Sequence, residues 1–564
     1  MKTPWTDSVS RECPLAEYPR PQMVREGWLC LNGKWDYAIT ESACQPDKFD
    51  GQIVVPFSPE TELSEVNRSL KPGEYLWYSR SIELPEGFIG KRLLLHFGAA
   101  DNEAEVFVNG RSLVKHVGGY LPFTAEIGAA AEERFLDIVV RVQDDSDTGY
   151  HSRGKQTTKR GGIWYTPQSG IWQTVWMEAV PDCYIKSLKI LPDFDNSSVS
   201  IAASVSGNAE TFAIFEGKEY KLPALIPVPN FEAWSPENPK LYPFSVVCGE
   251  DRVESYFAMR KFSVDTDETG IKRFFLNNRP YFHNGLLDQG YWSDGMYTAP
   301  TDEALVFDIQ TAKDMGFNVL RKHIKVEPLR WYYHCDRLGM IVWQDMMNGG
   351  GIYSKLLITA PLFTNIHLKD NKYRLFARAD EAGRSEYYSE LKEMIEHLYN
   401  CPCIGLWVPF NEGWGQFDAV KAYDFVKALD TSRIIDHASG WHDQGAGDAR
   451  SWHVYFRPYH FRRDRKKRAV ILSEFGGYSL PIEGHCFSSK LFGYRLYKNA
   501  EDFAKALEKL YSREIKPAIQ KGLAASIYTE LTDVEDELNG FITYDRQIVK
   551  LLPEQVKKIV CIEE

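Results

Sequence analysis

Alternation decides what the second half of this chain can become. From about residue 270 onward, short apolar runs of strand length alternate with longer stretches of helical periodicity. Strand-like runs occur at 281–285, 317–321, 340–344, 404–408, 433–437, 452–455, 469–473 and 523–528. Helical periodicity runs through 302–315, 385–399, 417–429 and 500–515. A strand that is apolar along its whole length needs cover on both faces, which parallel strands with crossover helices provide. Eight such strands, most followed by a helix, predict a C-terminal (β/α)8 TIM barrel over 265–564.

The chain has 564 residues, enough by length for about three or four domains. Residues before the barrel read as strands, at 29–39, 53–57, 75–84, 92–97, 103–108, 112–116 and 135–142. Asn109-Gly110 supplies the positive φ angles of a type I′ hairpin between two of them. These features predict an N-terminal β-sandwich of the jelly-roll kind over 1–181. A smaller immunoglobulin-like β-sandwich is expected over 182–264. Pro236 and Pro239 stiffen a connector within it, because each fixes its own φ and restricts the residue before it.

Composition narrows the function. The formal net charge is -12 with 13 His taken as neutral, which argues against nucleic-acid and membrane-surface binding. The basic run at 462–468 reads as a solvated face. No apolar run reaches the length of a membrane span, and the start is polar, without the apolar core of a leader. The 10 Cys are scattered and lack the spacing of a zinc site, so no metal or cofactor and a reducing, cytoplasmic location are expected. The glycine run 349–351 lacks the Lys and Ser/Thr of a phosphate loop.

A barrel carries its chemistry at the C-terminal ends of its strands. Arg321 and His323 stand at the second end, Asp345 at the third, and Asn411 and Glu412 at the fourth. His453 and Tyr455 stand at the sixth, Glu474 at the seventh, and Tyr528 and Thr529 at the eighth, followed by Glu530. A carboxylate ending an apolar strand is costly unless it is paired or used. Glu412 and Glu474 form such a pair, and glycoside hydrolysis requires two carboxyl groups flanking one bond. One isolated Glu would be read as a turn cap; two at matching strand ends are not.

At these residues the sequence resembles glycoside hydrolase family 2. The resemblance spans nearly the whole chain. It rests on Ser-Gly-Ile-Trp-Gln at 169–173, Trp-Ser-Pro-Glu-Asn-Pro-Lys-Leu-Tyr at 234–242, and Met-Gly-Phe-Asn-Val-Leu-Arg-Lys-His at 315–323. It continues in Cys-Asp-Arg-Leu-Gly-Met-Ile-Val-Trp-Gln-Asp at 335–345, Asn-Glu-Gly-Trp-Gly at 411–415 and Ser-Glu-Phe-Gly at 473–476. It implies a retaining exo-glycoside hydrolase of the β-galactosidase type, with Glu412 as acid/base and Glu474 as nucleophile. It further implies that Asn411 binds the sugar 2-hydroxyl and that Arg321 orients the nucleophile. His323, His453, Tyr455 and Tyr528 would line the terminal subsite, with Asp345 in support and the first sandwich lending a sugar-binding loop between 149 and 164.

One departure bears on the sugar. Family β-glucuronidases grip the substrate carboxylate with an Asn-x-Lys motif after strand eight, where this chain reads Glu537-Leu538-Asn539. That disfavours glucuronides, while Arg153, Lys155, Lys159 and Arg160 on the sandwich loop keep a uronide reading open. The expected partner is an oligosaccharide or plant glycoside, and a homo-oligomer is compatible with the sequence. β-Glucuronidase, β-galacturonidase and α-L-arabinosidase are the alternatives within the family, and a non-catalytic carbohydrate-binding protein is the alternative of another class.

Overall fold

A computed structural model describes residues 1–128, 134–364 and 367–562. Gly33–Thr40, Gly51–Val55, Tyr75–Glu83, Glu103–Val108, Arg111–Val117 and Phe135–Gln143 form a six-stranded antiparallel sheet. Trp28–Cys30, Arg92–Phe97, Phe123–Ile127 and Val175–Val180 form a four-stranded one. Trp35, Tyr78 and Val140 from the first meet Leu95 and Met177 from the second in one core, which makes the pair a sandwich. Val108 faces Arg111 across the expected hairpin, whose Asn109 and Gly110 have φ of 49° and 75°.

A second pair of sheets follows. Ile185–Asp193, Ser198–Val205 and Ala224–Pro227 make three strands, and Thr211–Phe215, Lys218–Lys221, Tyr242–Cys248 and Asp251–Phe257 make four. Ile190, Ile201, Phe215, Val246 and Phe257 fill the space between them. The Pro-rich connector is anchored by Trp234, whose indole N–H donates to the Asp336 carbonyl at 2.8 Å.

The barrel strands are β1 (His283–Asp288), β2 (Val319–Lys322), β3 (Ile341–Asp345), β4 (Ile404–Val408), β5 (Ile434–Ile435), β6 (Ala449–Val454), β7 (Ala469–Gly476) and β8 (Leu523–Thr529). They pair in parallel in the order β5-β4-β3-β2-β1-β8-β7-β6. Helix starts follow side-chain caps: Thr301, Asp380 and Asn499 accept from the N–H of Ala304, Gly383 and Asp502. The helix expected over 500–515 is interrupted: Ala500–Leu510 opens into a π-type turn at Tyr511–Ile515 before Lys516–Lys521 resumes. Pro517, which has no N–H to give, sits just beyond the wider turn.

A buried ion network fastens the two sandwiches. Arg25 donates to Glu178 of the first at 2.7 Å and to both carboxyl oxygens of Asp251 in the second at 2.9 Å. Burial alone would raise the Glu178 carboxyl, but Arg20, His96 and Arg25 hold it far below the usual carboxylate range. Its contribution to stability is therefore present above about pH 4.3, the ordinary glutamate value, and is lost as the pH falls. Arg25→Ala leaves two buried carboxylates without that partner and is expected to cost about 3–5 kcal/mol, measured by chemical denaturation at pH 7.

Candidate active site

Arg321 organises the lumen. It is fully buried at the end of β2, and every donor group of its guanidinium is engaged. Nε donates to Asp345 Oδ1 at 3.0 Å, and Nη2 reaches Asp345 Oδ2 and Asn411 Oδ1, each at 2.9 Å. Nη1 donates to Glu474 Oε1 at 3.0 Å and to the Ser473 carbonyl at 3.1 Å. One rigid fork thus fixes residues from β3, the end of β4 and β7 in a single plane. The oxygens of Asp345 are taken by Arg321 and by His323 Nδ1 at 2.8 Å, so Asp345 supports the site from behind. Burial pushes its carboxyl up to about 6 despite Arg321.

Glu412 and Glu474 meet across His453. His453 Nδ1 lies 2.7 Å from Glu412 Oε1 and 3.3 Å from Glu474 Oε2. One atom from each of the three lies within 4.8 Å of the others, which is the one such convergence of metal-capable ligands among the described residues. Burial drives the His453 pKa well below its ordinary value, so its ring is neutral, and Nε2 is held by Ser439 Oγ at 3.1 Å. Burial likewise lowers His323.

The two carboxyl groups differ in surroundings. Glu412 has φ of 50°, rare for a residue with a side chain, and its N–H donates to the Ser439 carbonyl at 3.0 Å. Burial, and next the charge of Glu474, push its carboxyl well up, which favours its proton-bearing form. Burial also raises Glu474, but Arg321 and the Tyr455 hydroxyl oppose the shift. Tyr455 donates to Glu474 Oε2, lies 3.1 Å from Thr529 Oγ1, and stacks on Tyr494 at 4.0 Å between ring centroids. The arrangement separates a proton-bearing carboxyl from one held for ionisation, the division of labour an acid and a nucleophile need.

Of the nine residues given a role in the site, eight converge on this lumen and Tyr528 does not. Side chains alternate along β8, and Thr529 takes the inward position. Tyr528 packs against Phe475, Tyr478 and Phe541, and its hydroxyl accepts from the Tyr478 N–H at 3.3 Å. The expectation that it lines the subsite is corrected on that ground.

The loop at 149–164 docks on the glycine run. The Arg153 N–H donates to the Asn348 carbonyl at 2.8 Å, and the Gly350 N–H to the Tyr150 carbonyl at 2.9 Å. A Cβ at Gly349 or Gly350 would collide with the carbonyls of His151 or Ala377, so these glycines permit a close approach of backbones. Of the four basic residues on the loop, Lys155 alone enters the site. Lys159 is exposed, Arg153 turns onto the 350–351 carbonyls, and Arg160 pairs with Glu535 and Asp536.

Sequence reading gave no role to Trp414, Tyr494 or Glu530. Trp414 belongs to the Asn-Glu block and packs on Trp164 at 5.2 Å. Tyr494 comes from a long segment after β7 without clear periodicity, so nothing local marked it. Glu530 directly follows an inward-facing strand end, and that position was its signal.

Two family models match. "Glycosyl hydrolases family 2, sugar binding domain" covers residues 64–181, and "Glycosyl hydrolases family 2, TIM barrel domain" covers 269–535. The β-galactosidase of Thermoanaerobacter pseudethanolicus is 24% identical over 447 residues, 72% of this chain and 54% of that protein. A putative β-glucuronidase of Formosa agariphila is 24% identical over 364 residues, 60% of this chain and 39% of that protein. The chain therefore spans about half the length, or less, of these relatives. The β-galacturonidase structure from Eisenbergiella tayi superimposes with a TM-score of 0.73 at 17% identity, covering 96% of this chain and 99% of that one. Sandwich, barrel and matched regions agree, and the chain belongs to glycosyl hydrolases family 2.

Proposed function

We propose that the protein is a retaining exo-glycoside hydrolase that removes a terminal non-reducing sugar, with β-galactosides the leading substrate class. The observation that carries this reading is the unlike pair Glu412 and Glu474, with carboxyl oxygens no more than 4.8 Å apart. Retaining enzymes hold their carboxyl groups about 5–5.5 Å apart, because one must bond the anomeric carbon while the other reaches the leaving oxygen. Glu412 donates its proton to the leaving group as Glu474 attacks. The glycosyl–enzyme ester discharges the Glu474 charge that had raised Glu412, which then accepts a proton from the attacking water. His453 orients Glu412, and Asn411 offers its amide Nδ2, which has no partner among the described residues, to the sugar 2-hydroxyl. Exo action fits the docking of the 149–164 loop on 348–351, which walls one side of the lumen.

Tyr455 tunes the nucleophile by donating to it. Tyr455→Phe is expected to lower kcat/KM by about 10- to 100-fold, the worth of one hydrogen bond to a charged group, with little change in melting temperature. Steady-state kinetics with a p-nitrophenyl glycoside checks it.

The observation on the side of a uronide is Lys155, a cation brought from the sandwich loop into the lumen, where the acidic groups Glu530 and Glu537 count against that reading. The test of both readings is hydrolysis of p-nitrophenyl β-galactoside, β-glucoside, β-mannoside, α-L-arabinosides, β-glucuronide and β-galacturonide. Turnover of none of them removes the hydrolase reading. Among the described residues no helix is long and apolar enough to cross a membrane. All ten cysteines are free, which supports a reducing, cytoplasmic location.

A further inference from the structure

Unpartnered buried polar atoms surround the two carboxyl groups. Among the described residues, both carboxyl oxygens of Glu530, Asn539 Oδ1, Gln289 Nε2, Asn411 Nδ2 and Trp414 Nε1 are buried with no partner at hydrogen-bond distance, although the Gln289 amide lies near enough to Glu530 to oppose the rise of its carboxyl. Buried polar groups in folded proteins are nearly always satisfied, so several exceptions at one place mark a site whose partners come with a ligand. The set holds acceptors and donors together, the complement of a polyol, whose every hydroxyl offers both.

Glu530 is the extreme member. It is fully buried just beyond β8, in a fixed backbone: its N–H donates to the Asn539 carbonyl at 3.1 Å, and its carbonyl accepts from the Phe541 N–H at 3.2 Å. Its neighbour Glu537 is already satisfied, accepting from Asn539 Nδ2 at 3.0 Å and from the Tyr165 hydroxyl. Lys155 is 5% exposed, with Nζ 5.5 Å from the Tyr165 ring centroid and 5.8 Å from that of Trp414. It forms no ion pair among the described residues. Tyr494 stacks on Tyr455, the donor to Glu474, at 4.0 Å between ring centroids, and after burial the charges of Glu537, Glu412, Glu474 and Glu530 all push its hydroxyl up.

Resting on the retaining-hydrolase reading, we propose that Glu530 and Lys155 are the specificity-determining pair of the terminal subsite, reading the hydroxyls of a neutral sugar and rejecting a uronate. Glu530 accepts hydroxyl hydrogens, and Lys155 donates to a hydroxyl oxygen. A uronate carboxylate can only accept. Burial, and next the charge of Glu537, already push the Glu530 carboxyl well up, and a uronate beside the two would bring a further negative charge with one lysine to balance it. In a desolvated site such like-charge contacts discriminate strongly.

The test compares kcat/KM for neutral and uronic p-nitrophenyl glycosides in wild type, Glu530→Gln and Lys155→Met, with melting temperatures alongside. Wild type is expected to prefer a neutral glycoside. Glu530→Gln, which cannot accept at both positions, is expected to lose about 100-fold or more on that substrate and to narrow its preference over uronides. Lys155→Met reads the same ratio if Glu530→Gln does not fold. Wild-type preference for glucuronide or galacturonide overturns the pair, as does a folded Glu530→Gln within about threefold of wild type, too little for a lost bidentate contact. Hydrolysis that Glu474→Gln abolishes but Glu530→Gln spares removes this pair and leaves the parent reading standing. No hydrolysis of any glycoside removes the parent reading and this pair with it.

Discussion

Glu474→Gln is expected to lower kcat by at least about four orders of magnitude while the protein still folds, because the amide keeps the shape and loses the nucleophile. Folding should survive. Arg321 keeps its two contacts with Asp345, and the amide oxygen can still accept from Arg321 or Tyr455. The buried cation does lose one anionic neighbour, and a stability loss of about 1–3 kcal/mol is expected. Circular dichroism and a melting curve separate this from unfolding. The measurement is the rate on the best p-nitrophenyl glycoside, with an active wild-type control for contamination. A folded variant that turns over at a near-normal rate would remove Glu474 as nucleophile. A sugar that binds the wild type but is never cleaved would leave a carbohydrate-binding protein on a barrel scaffold.

How far the sequence could be read follows from how local each signal is. The barrel strands were legible because both faces are buried, giving continuous apolar runs such as 404–408 and 469–473. Strand ends then pointed to Glu412 and Glu474, because a carboxylate after such a run needs a reason. Direction around the barrel was less legible. Tyr528 and Thr529 are neighbours, and one residue of phase decides which faces the lumen. Hydrogen bonds to Tyr478 and Tyr455 settle it in favour of Thr529. Long-range packing was not legible at all. That Lys155 rather than Arg153 or Arg160 enters the site depends on partners at 350–351 and 535–536, hundreds of residues away. The orphaned state of Glu530 likewise exists only once Glu537, Asn539 and Tyr165 have satisfied one another.

Glu412→Ala tests the other half of the mechanism and carries the second large effect. Removing the acid should slow cleavage of a poor leaving group by about 10²–10⁴-fold and spare an activated aryl glycoside in its first step. The glycosyl–enzyme then accumulates, because no base deprotonates water. Azide needs no deprotonation and fits the space the carboxyl vacates. It should raise the rate and yield a glycosyl azide with the substrate's anomeric configuration, the result of two inversions. An azide of inverted configuration would mean direct displacement, and the assignment of Glu474 would fall with it. The pH profile offers an independent reading. In wild type, burial and then Glu474 raise the Glu412 carboxyl, so activity is retained while it is protonated and falls as pH rises through its folded value. That alkaline limb should be absent in Glu412→Ala acting on an activated substrate. Stability follows the same sign. A carboxyl whose folded pKa lies above its unfolded value contributes fully below about pH 4.3, and that contribution is lost as pH rises through the folded value. Glu412→Gln should therefore gain melting temperature relative to wild type as the pH is raised, and a gap that stays flat with pH would contradict the buried, proton-bearing state from which the acid role is argued.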